Sequence, residues 1–152
     1  EKRGELGDDP AASPKAYFDK LSLHPRIAVV TQELYADEHW WEAVFAGAKA
    51  LVNLVKERSG KHDLDGAALL RTVFSRQKPV LQVNALANQT DEDEQEGIMH
   101  LFEGVVLAIR NPGGHSFPDG SAQRALEYIQ LLSLLAYRVD EATKTKTPKS
   151  AG

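Results

Sequence analysis

Cysteine is missing from this chain, and methionine occurs only once. That absence excludes a disulfide, a thiolate zinc or iron–sulfur centre and a cysteine nucleophile, and it favours a cytoplasmic setting. Long apolar runs are missing as well. The most hydrophobic stretches are interrupted by Lys49, Gln130 or Arg138, so none offers the roughly 20 apolar residues of a membrane span. No membrane partner is expected, and no signal-peptide pattern is present. A basic surplus is lacking too. The formal net charge is −4, whereas a protein that coats nucleic acid carries an excess of Lys and Arg. Any contact with nucleic acid is therefore expected to be local and transient. P-loop, GxGxxG and GxSxG motifs are absent, and His39, His62, Asp63 and Asp65 do not fall at the spacing of HExxH or an EF-hand loop. No cofactor and no metal are expected.

What remains is a chain of 152 residues with 42% hydrophobic and 26% charged side chains, enough for one domain with a genuine core. Residues 1–13 are polar, rich in turn formers and without periodicity. They read as a flexible tether, of the kind found in a fragment or processed form of something longer. Lys144, Lys146 and Lys149 make residues 144–152 a basic flexible tail, and residues 14–143 are left as the folded domain.

The periodicity of that domain is helical. Residues 15–21 are expected to form a short helix. In residues 24–37, Ile27, Val30, Leu34 and Tyr35 recur at helical spacing, and His24-Pro25 places a proline in the first turn. Residues 39–59 are apolar on most of their circumference (Trp40, Val44, Phe45, Ala48, Leu51, Val52 and Val55), the mark of a central buried helix ending at Gly60. Lys49 on that helix is expected to snorkel to the surface. Asp65 is placed to cap a shorter helix that ends near Ser75. Residues 79–86 are the only strand-like run, expected as an extended connection or short hairpin.

Two strong helices complete the domain. The first starts in the acidic run DEDEQE, residues 91–96, read as a solvated helix start complementing the helix dipole. It carries a stripe of Ile98, Leu101, Phe102, Val105 and Ile109, with Gly97 and Gly104 placed to admit another backbone. His100 on this helix reads as a packing or capping residue. The second helix carries Leu126, Ile129, Leu132, Leu135 and Val139, widened by Leu131, Leu134 and Ala136. No repeat of fixed period occurs. The expected class is all-α, a bundle of four to six helices.

Between these two helices runs AIRNPGGHSFPDG, residues 108–120. Pro112 lacks an amide hydrogen and pushes Asn111 out of helical geometry, so the helix ends near Arg110. Full extension would part Arg110 from His115 by about 17 Å, but Gly113 and Gly114 allow the chain to turn back. Arg110 and His115 can then face one ligand, for which a phosphate is the natural choice. The spacing by itself carries no information. With five histidines in the chain, an Arg-to-His separation of this kind arises by chance.

Its setting carries more. Arg110-Asn111-Pro-Gly-Gly-His115, read as R-polar-x-x-x-H between the last two long helices of an all-α domain, resembles the motif of the HEPN superfamily. More narrowly, HPRIAVVTQELYADEHWWEAVFAGAKALVNLVKERSG, DLDGAALLRTVFS, DEQEGIMHLFEGVVLAIRNPGGH and ALEYIQLLSLLAYRVDEA resemble the Ymh type, a family of uncharacterised bacterial and prophage-associated proteins. The HEPN resemblance implies a metal-independent endoribonuclease that cleaves single-stranded RNA. It implies a homodimer with two copies of the motif facing each other at the interface. Arg110 would hold the scissile phosphate and stabilise charge growing on its oxygens. His115 would transfer a proton, either activating the ribose 2′-OH or protonating the leaving 5′-oxygen. Asn111 would orient the histidine or the substrate. A defence or toxin effector, with an antitoxin or defence-system partner, is the corresponding setting. The rival expectation is a non-catalytic HEPN-like module that dimerises or binds RNA, nucleotide or protein. A third is an interaction domain whose RNPGGH turn is purely structural.

Overall fold

A computed structural model describes residues 13–110 and 122–146, without the side chains of Pro14 and Arg110. Residues 1–12 of the expected tether and residues 147–152 of the basic tail lie outside the described residues, as do Asn111 and His115. The described chain is all-α apart from one very small sheet. In order it forms α1 (Pro14–Lys20), α2 (Pro25–Ala36), α3 (Trp40–Ser59), α4 (Gly66–Val73), β1 (Leu81–Gln82), α5 (Gln89–Arg110), α6 (Ala122–Glu141) and β2 (Thr143–Lys144).

Local chemistry sets most of these boundaries. Proline occupies the first turn of α1 and α2, where its missing amide hydrogen costs nothing. Ser13 Oγ caps α1 by accepting from Ala16 N, and Asp65 caps α4 by accepting from Gly66 N at 2.8 Å. α3 ends because Gly60 takes a left-handed φ of 74°, open to glycine at little cost, while its amide donates to Lys56 O. Asn88 caps α5, its Oδ1 accepting from Asp91 N at 2.9 Å, and Asp91 Oδ2 reaches back to Ala87 N at 2.9 Å.

α3 is the hub of the packing. α2 and α6 pack on each other and on α3, while α4 and α5 pack on each other and also on α3. Ala43, Val44, Gly47, Ala48, Leu51, Val52, Leu54 and Val55 are buried along it. A Cβ added at Gly47 would lie 3.0 Å from Leu132 Cδ1 and 3.3 Å from Thr31 Cγ2, so this glycine lets α2 and α6 close on α3. On the other side, Phe74 and Phe102 stack with ring centroids 4.4 Å apart.

Several sequence expectations need correction. Val30 and Phe45 are exposed, because the buried stripe of α2 is Ile27, Thr31 and Tyr35, and α3 leaves the Phe45 edge uncovered. On α5, Phe102, Val105, Val106 and Ile109 are buried while Leu101 stays 48% exposed. Among the described residues, no atom lies within 4 Å of a Cβ added at Gly97 or Gly104. The strand-like run is not a hairpin. β1 pairs antiparallel with β2, Leu81 opposite Lys144 and Gln82 opposite Thr143, a partner far along the chain. Thr145 extends this junction, its amide donating to Val80 O and its hydroxyl to Pro79 O, both at 2.9 Å.

The acidic run is more than a solvated helix start. Arg76 Nη1 lies 2.8 Å from Asp93 and 2.7 Å from Glu96, with Nη2 3.3 Å from Glu92. Glu94 pairs with Arg138 at 3.1 Å. Gln95, in the same run, is fully buried and spends its whole amide on the fold. Nε2 donates to Phe74 O and Leu81 O at 3.1 and 3.0 Å, and Oε1 accepts from Val83 N at 2.9 Å. One side chain thus joins the end of α4, β1 and the start of α5.

Candidate functional site

The two helices on either side of the RNPGGH segment are anchored in the core close to the ends that flank it. α5 runs to Arg110 and buries Val105, Val106 and Ile109 over its last turns. α6 begins at Ala122 and buries Ala125, Leu126 and Ile129 in its first two. The buried Tyr35 of α2 donates its hydroxyl to Ala122 O at 3.1 Å. Its ring stacks on Phe18 at 4.9 Å and meets Trp40 edge-on at 4.8 Å. Burial pushes the Tyr35 hydroxyl far above its ordinary pKa, so it stays a neutral donor. Arg110 is placed as the last residue of α5, while Asn111 and His115 lie outside the described residues.

Beside the start of α6 lies a shallow depression of about 320 Å³, lined by Arg124, Glu127, Tyr128 and Leu131. These positions follow i, i+3, i+4 and i+7 and share one helix face. Arg124 Nε is 3.7 Å from Glu127 Oε2, an exposed ion pair.

The other histidines fall into two kinds. His100 neither packs nor caps: it is 63% exposed, 3.9 Å from Glu96 and 3.7 Å from Glu103. His39 and His62 are exposed. His39 precedes α3 without capping it through its side chain. Lys49 is exposed, in line with the snorkelling expectation. His24, in contrast, is buried and paired. Its Nε2 lies 2.7 Å from Asp140 Oδ2, its Nδ1 accepts from Arg26 N at 3.1 Å, and its own amide donates to Ser133 Oγ at 2.8 Å. Tyr137 meets the ring edge-on. An amide hydrogen pointing at Nδ1 places the proton on Nε2, which donates to Asp140.

A His–Asp pair of this geometry invites a catalytic reading, but both ring nitrogens are spent inside the fold. No lone pair remains for a substrate, and the pair works as a fastener. Arg58 donates to the other oxygen of Asp140 at 2.9 Å, and Arg26 forks onto Glu57 at 2.7 and 2.9 Å. The start of α2, the end of α3 and the end of α6 are clasped together there. Sequence reasoning saw only the helix-start role of His24-Pro25. Asp140 is 116 positions away, and nothing local to either residue announces the pair. Among the described residues no three His, Asp or Glu side chains come together in a way that could hold a metal ion, and no helix is long and apolar enough to cross a membrane.

No curated protein and no solved structure matches this chain. A family model does match, over residues 21–139, from just before α2 to near the end of α6, with Arg110, Asn111 and His115 inside the matched span. The chain thereby belongs to the Hypoth_Ymh family, described as a protein of unknown function.

Proposed function

We propose that this protein is a HEPN-type, metal-independent endoribonuclease acting on single-stranded RNA. One observation carries the reading. Arg110-Asn111-Pro-Gly-Gly-His115 falls at the end of α5 and before the start of α6 in an all-helical domain. It is the arrangement that resembles the HEPN motif, and both flanking helices are seated on the core.

The chemistry follows from the residue types. The ribose 2′-oxygen attacks the adjacent phosphorus, the bond from phosphorus to the 5′-oxygen breaks, and a 2′,3′-cyclic phosphate and a free 5′-hydroxyl are left. One proton leaves the 2′-OH and one arrives at the 5′-oxygen, transfers suited to an imidazole of pKa near 6.5. In a homodimer with facing motifs, His115 of each copy takes one of these transfers. Arg110 neutralises charge on the phosphoryl oxygens, and Asn111 orients the histidine or the phosphate. A defence or toxin effector held in check by a partner protein, in the cytoplasm, is the setting that suits such an activity.

The test is incubation with single-stranded RNA in EDTA, beside folded His115→Ala and Arg110→Ala variants. Wild-type cleavage that both variants lose is the expected outcome. Cleavage that persists in His115→Ala removes the site assignment, and a strict monomer at micromolar concentration removes the paired site.

A second reading, a non-catalytic dimerisation or binding module, draws on α5. Leu101 and Leu107 are 48% and 53% exposed on the face that carries the open Gly97 and Gly104, a surface suited to packing against another helix. RNA left uncut by a dimeric wild type favours it.

A further inference from the structure

We propose that Lys61, Lys78, Lys144 and Lys146 form a sequence-independent docking surface for the phosphate backbone of single-stranded RNA. The choice of RNA as ligand rests on the ribonuclease reading; the surface itself is built by the fold.

The small sheet gathers these lysines from distant parts of the chain. β2 pairs with β1, Leu81 opposite Lys144, and Thr145 continues the pairing by donating its amide to Val80 O at 2.9 Å. Side chains alternate along an extended strand. Lys144 and Lys146 therefore stand on one side of it, and Thr145, whose hydroxyl donates to Pro79 O, stands on the other. Lys144 Nζ reaches the end of α3, 3.4 Å from where a Cβ on Gly60 would sit, and Lys61 follows directly. Lys78 precedes Pro79 and so adjoins Lys146 across the junction. Leu81 is buried and its carbonyl accepts from Gln95, so the ribbon that carries Lys144 and Lys146 is fixed to the core.

The neighbouring acids are already committed. Asp65 pairs with Lys56, Asp140 with His24 and Arg58, Glu57 with Arg26, and Glu141 with Arg138. Among the described residues, none of the four lysines pairs with a carboxylate, and Asp63 is the remaining acid close to them in sequence. The result is a local cationic strip on a chain whose formal net charge is −4. Lys78, Lys144 and Lys146 are exposed and Lys61 is partly so. Lys144 also complements the carboxyl end of the α3 dipole, a use within the fold that Lys78 and Lys146 do not share.

An ammonium on a flexible stem is a point charge that suits a phosphate and reads no base. Residues 60–63, 77–79 and 143–146 contain no Phe, Trp or Tyr and no exposed aliphatic side chain. The strip thus lacks the apolar centre around which a protein interface is built, which favours a phosphate backbone over an acidic protein. It adjoins the end of α6 opposite Ala122, about 30 Å away along a helix of 20 residues, so substitutions here leave Arg110 in place.

The test uses single-stranded RNA of about twelve nucleotides, fully 2′-O-methylated so that it is bound and not cut. Fluorescence anisotropy is read from about 50 to 200 mM salt. Wild type is expected to bind strands of different base composition with similar affinity. Lys61→Gln, Lys78→Gln, Lys144→Gln and Lys146→Gln are each expected to lower the slope of log K against log salt by about 0.7, the share of one phosphate on a single strand, and the fourfold variant by about 2.8. Arginine at all four positions should retain the wild-type slope. Lys49→Gln, the same change of charge on an exposed lysine of α3 about 16 Å along the axis from Gly60, should leave the slope unchanged.

A wild-type slope in the fourfold glutamine variant overturns the surface, as does a wild type that does not bind. An equal loss in Lys49→Gln also overturns it, because binding then follows overall charge. Polyglutamate that displaces the labelled strand more effectively than unlabelled RNA of the same length overturns it too and makes the strip a dock for an acidic protein. The two readings fail separately. Cleavage of unmodified RNA by wild type, with a slope untouched by the four changes, removes the surface and keeps the nuclease. Lysine-dependent binding without any cleavage removes the nuclease and keeps the surface.

Discussion

His24 Nε2 and Asp140 Oδ2 lie 2.7 Å apart and join the first residue before α2 to the last turn of α6. Because Nδ1 is already taken by Arg26 N, the pair serves the fold. Asp140→Ala is expected to destabilise the protein by about 1–3 kcal/mol, since it strips a buried imidazole of its acceptor. Urea unfolding measures this. RNA cleavage at a temperature where the variant is folded should equal that of wild type, and a selective loss of cleavage would give His24 a chemical role after all.

Gln95 offers a sharper case. Its amide satisfies Phe74 O, Leu81 O and Val83 N at once, from a fully buried position. Gln95→Ala strands three backbone groups and opens a cavity, an expected loss of about 2–4 kcal/mol. Hydrogen exchange should show the Val83 amide losing protection before the amides of α3 do.

Acid should loosen the molecule through three ion pairs. Arg76 holds Asp93 below its ordinary value of 3.8, while Arg26 and Arg71 hold Glu57 and Glu103 below 4.5, in each case chiefly through the side-chain hydrogen bond. A carboxylate depressed in the folded state stabilises that state above its unfolded pKa, and the contribution disappears as pH falls through the lowered folded value. Stability is therefore expected to be flat from pH 7 to about 5 and to fall below about 4. Arg76→Met should flatten part of that fall in a series of urea midpoints against pH. A profile identical to wild type would mean that the Arg76 cluster contributes nothing to it.

Attack by the 2′-oxygen makes a separate demand on the substrate. A single 2′-deoxy nucleotide at the cleaved position should abolish cutting there and leave neighbouring positions unaffected, and DNA should resist entirely. Products should carry a 2′,3′-cyclic phosphate, detected by mass spectrometry. A 2′-deoxy position cut at the normal rate excludes this chemistry.

Much of the fold was legible because helix signals are local. Pro25, Asp65 and Gly60 mark helix ends through their own backbone and side-chain chemistry, and Leu126, Ile129, Leu132, Leu135 and Val139 trace one face of α6 that is buried throughout. Errors arose where exposure depended on a neighbour. Leu101 and Phe45 fit apolar stripes but no described element covers them, and residues 79–86, expected as an extended connection or a short hairpin, pair with the remote Thr143 and Lys144 instead of forming a hairpin. The candidate site was legible only as a motif. Arg110 belongs to the last turn of α5, while Asn111 and His115 lie outside the described residues.

The sequence by itself determined the all-α class, the helix boundaries, the stop at Arg110 and membership of a family, since capping, proline geometry and 3.6-residue periodicity act over a few positions. Tertiary structure alone decided that His24 is a fastener, that Gln95 welds three elements, and that an acidic run clamps Arg76. Those roles depend on partners brought together from distant positions by packing around α3, and no rule that reads neighbouring residues contains them.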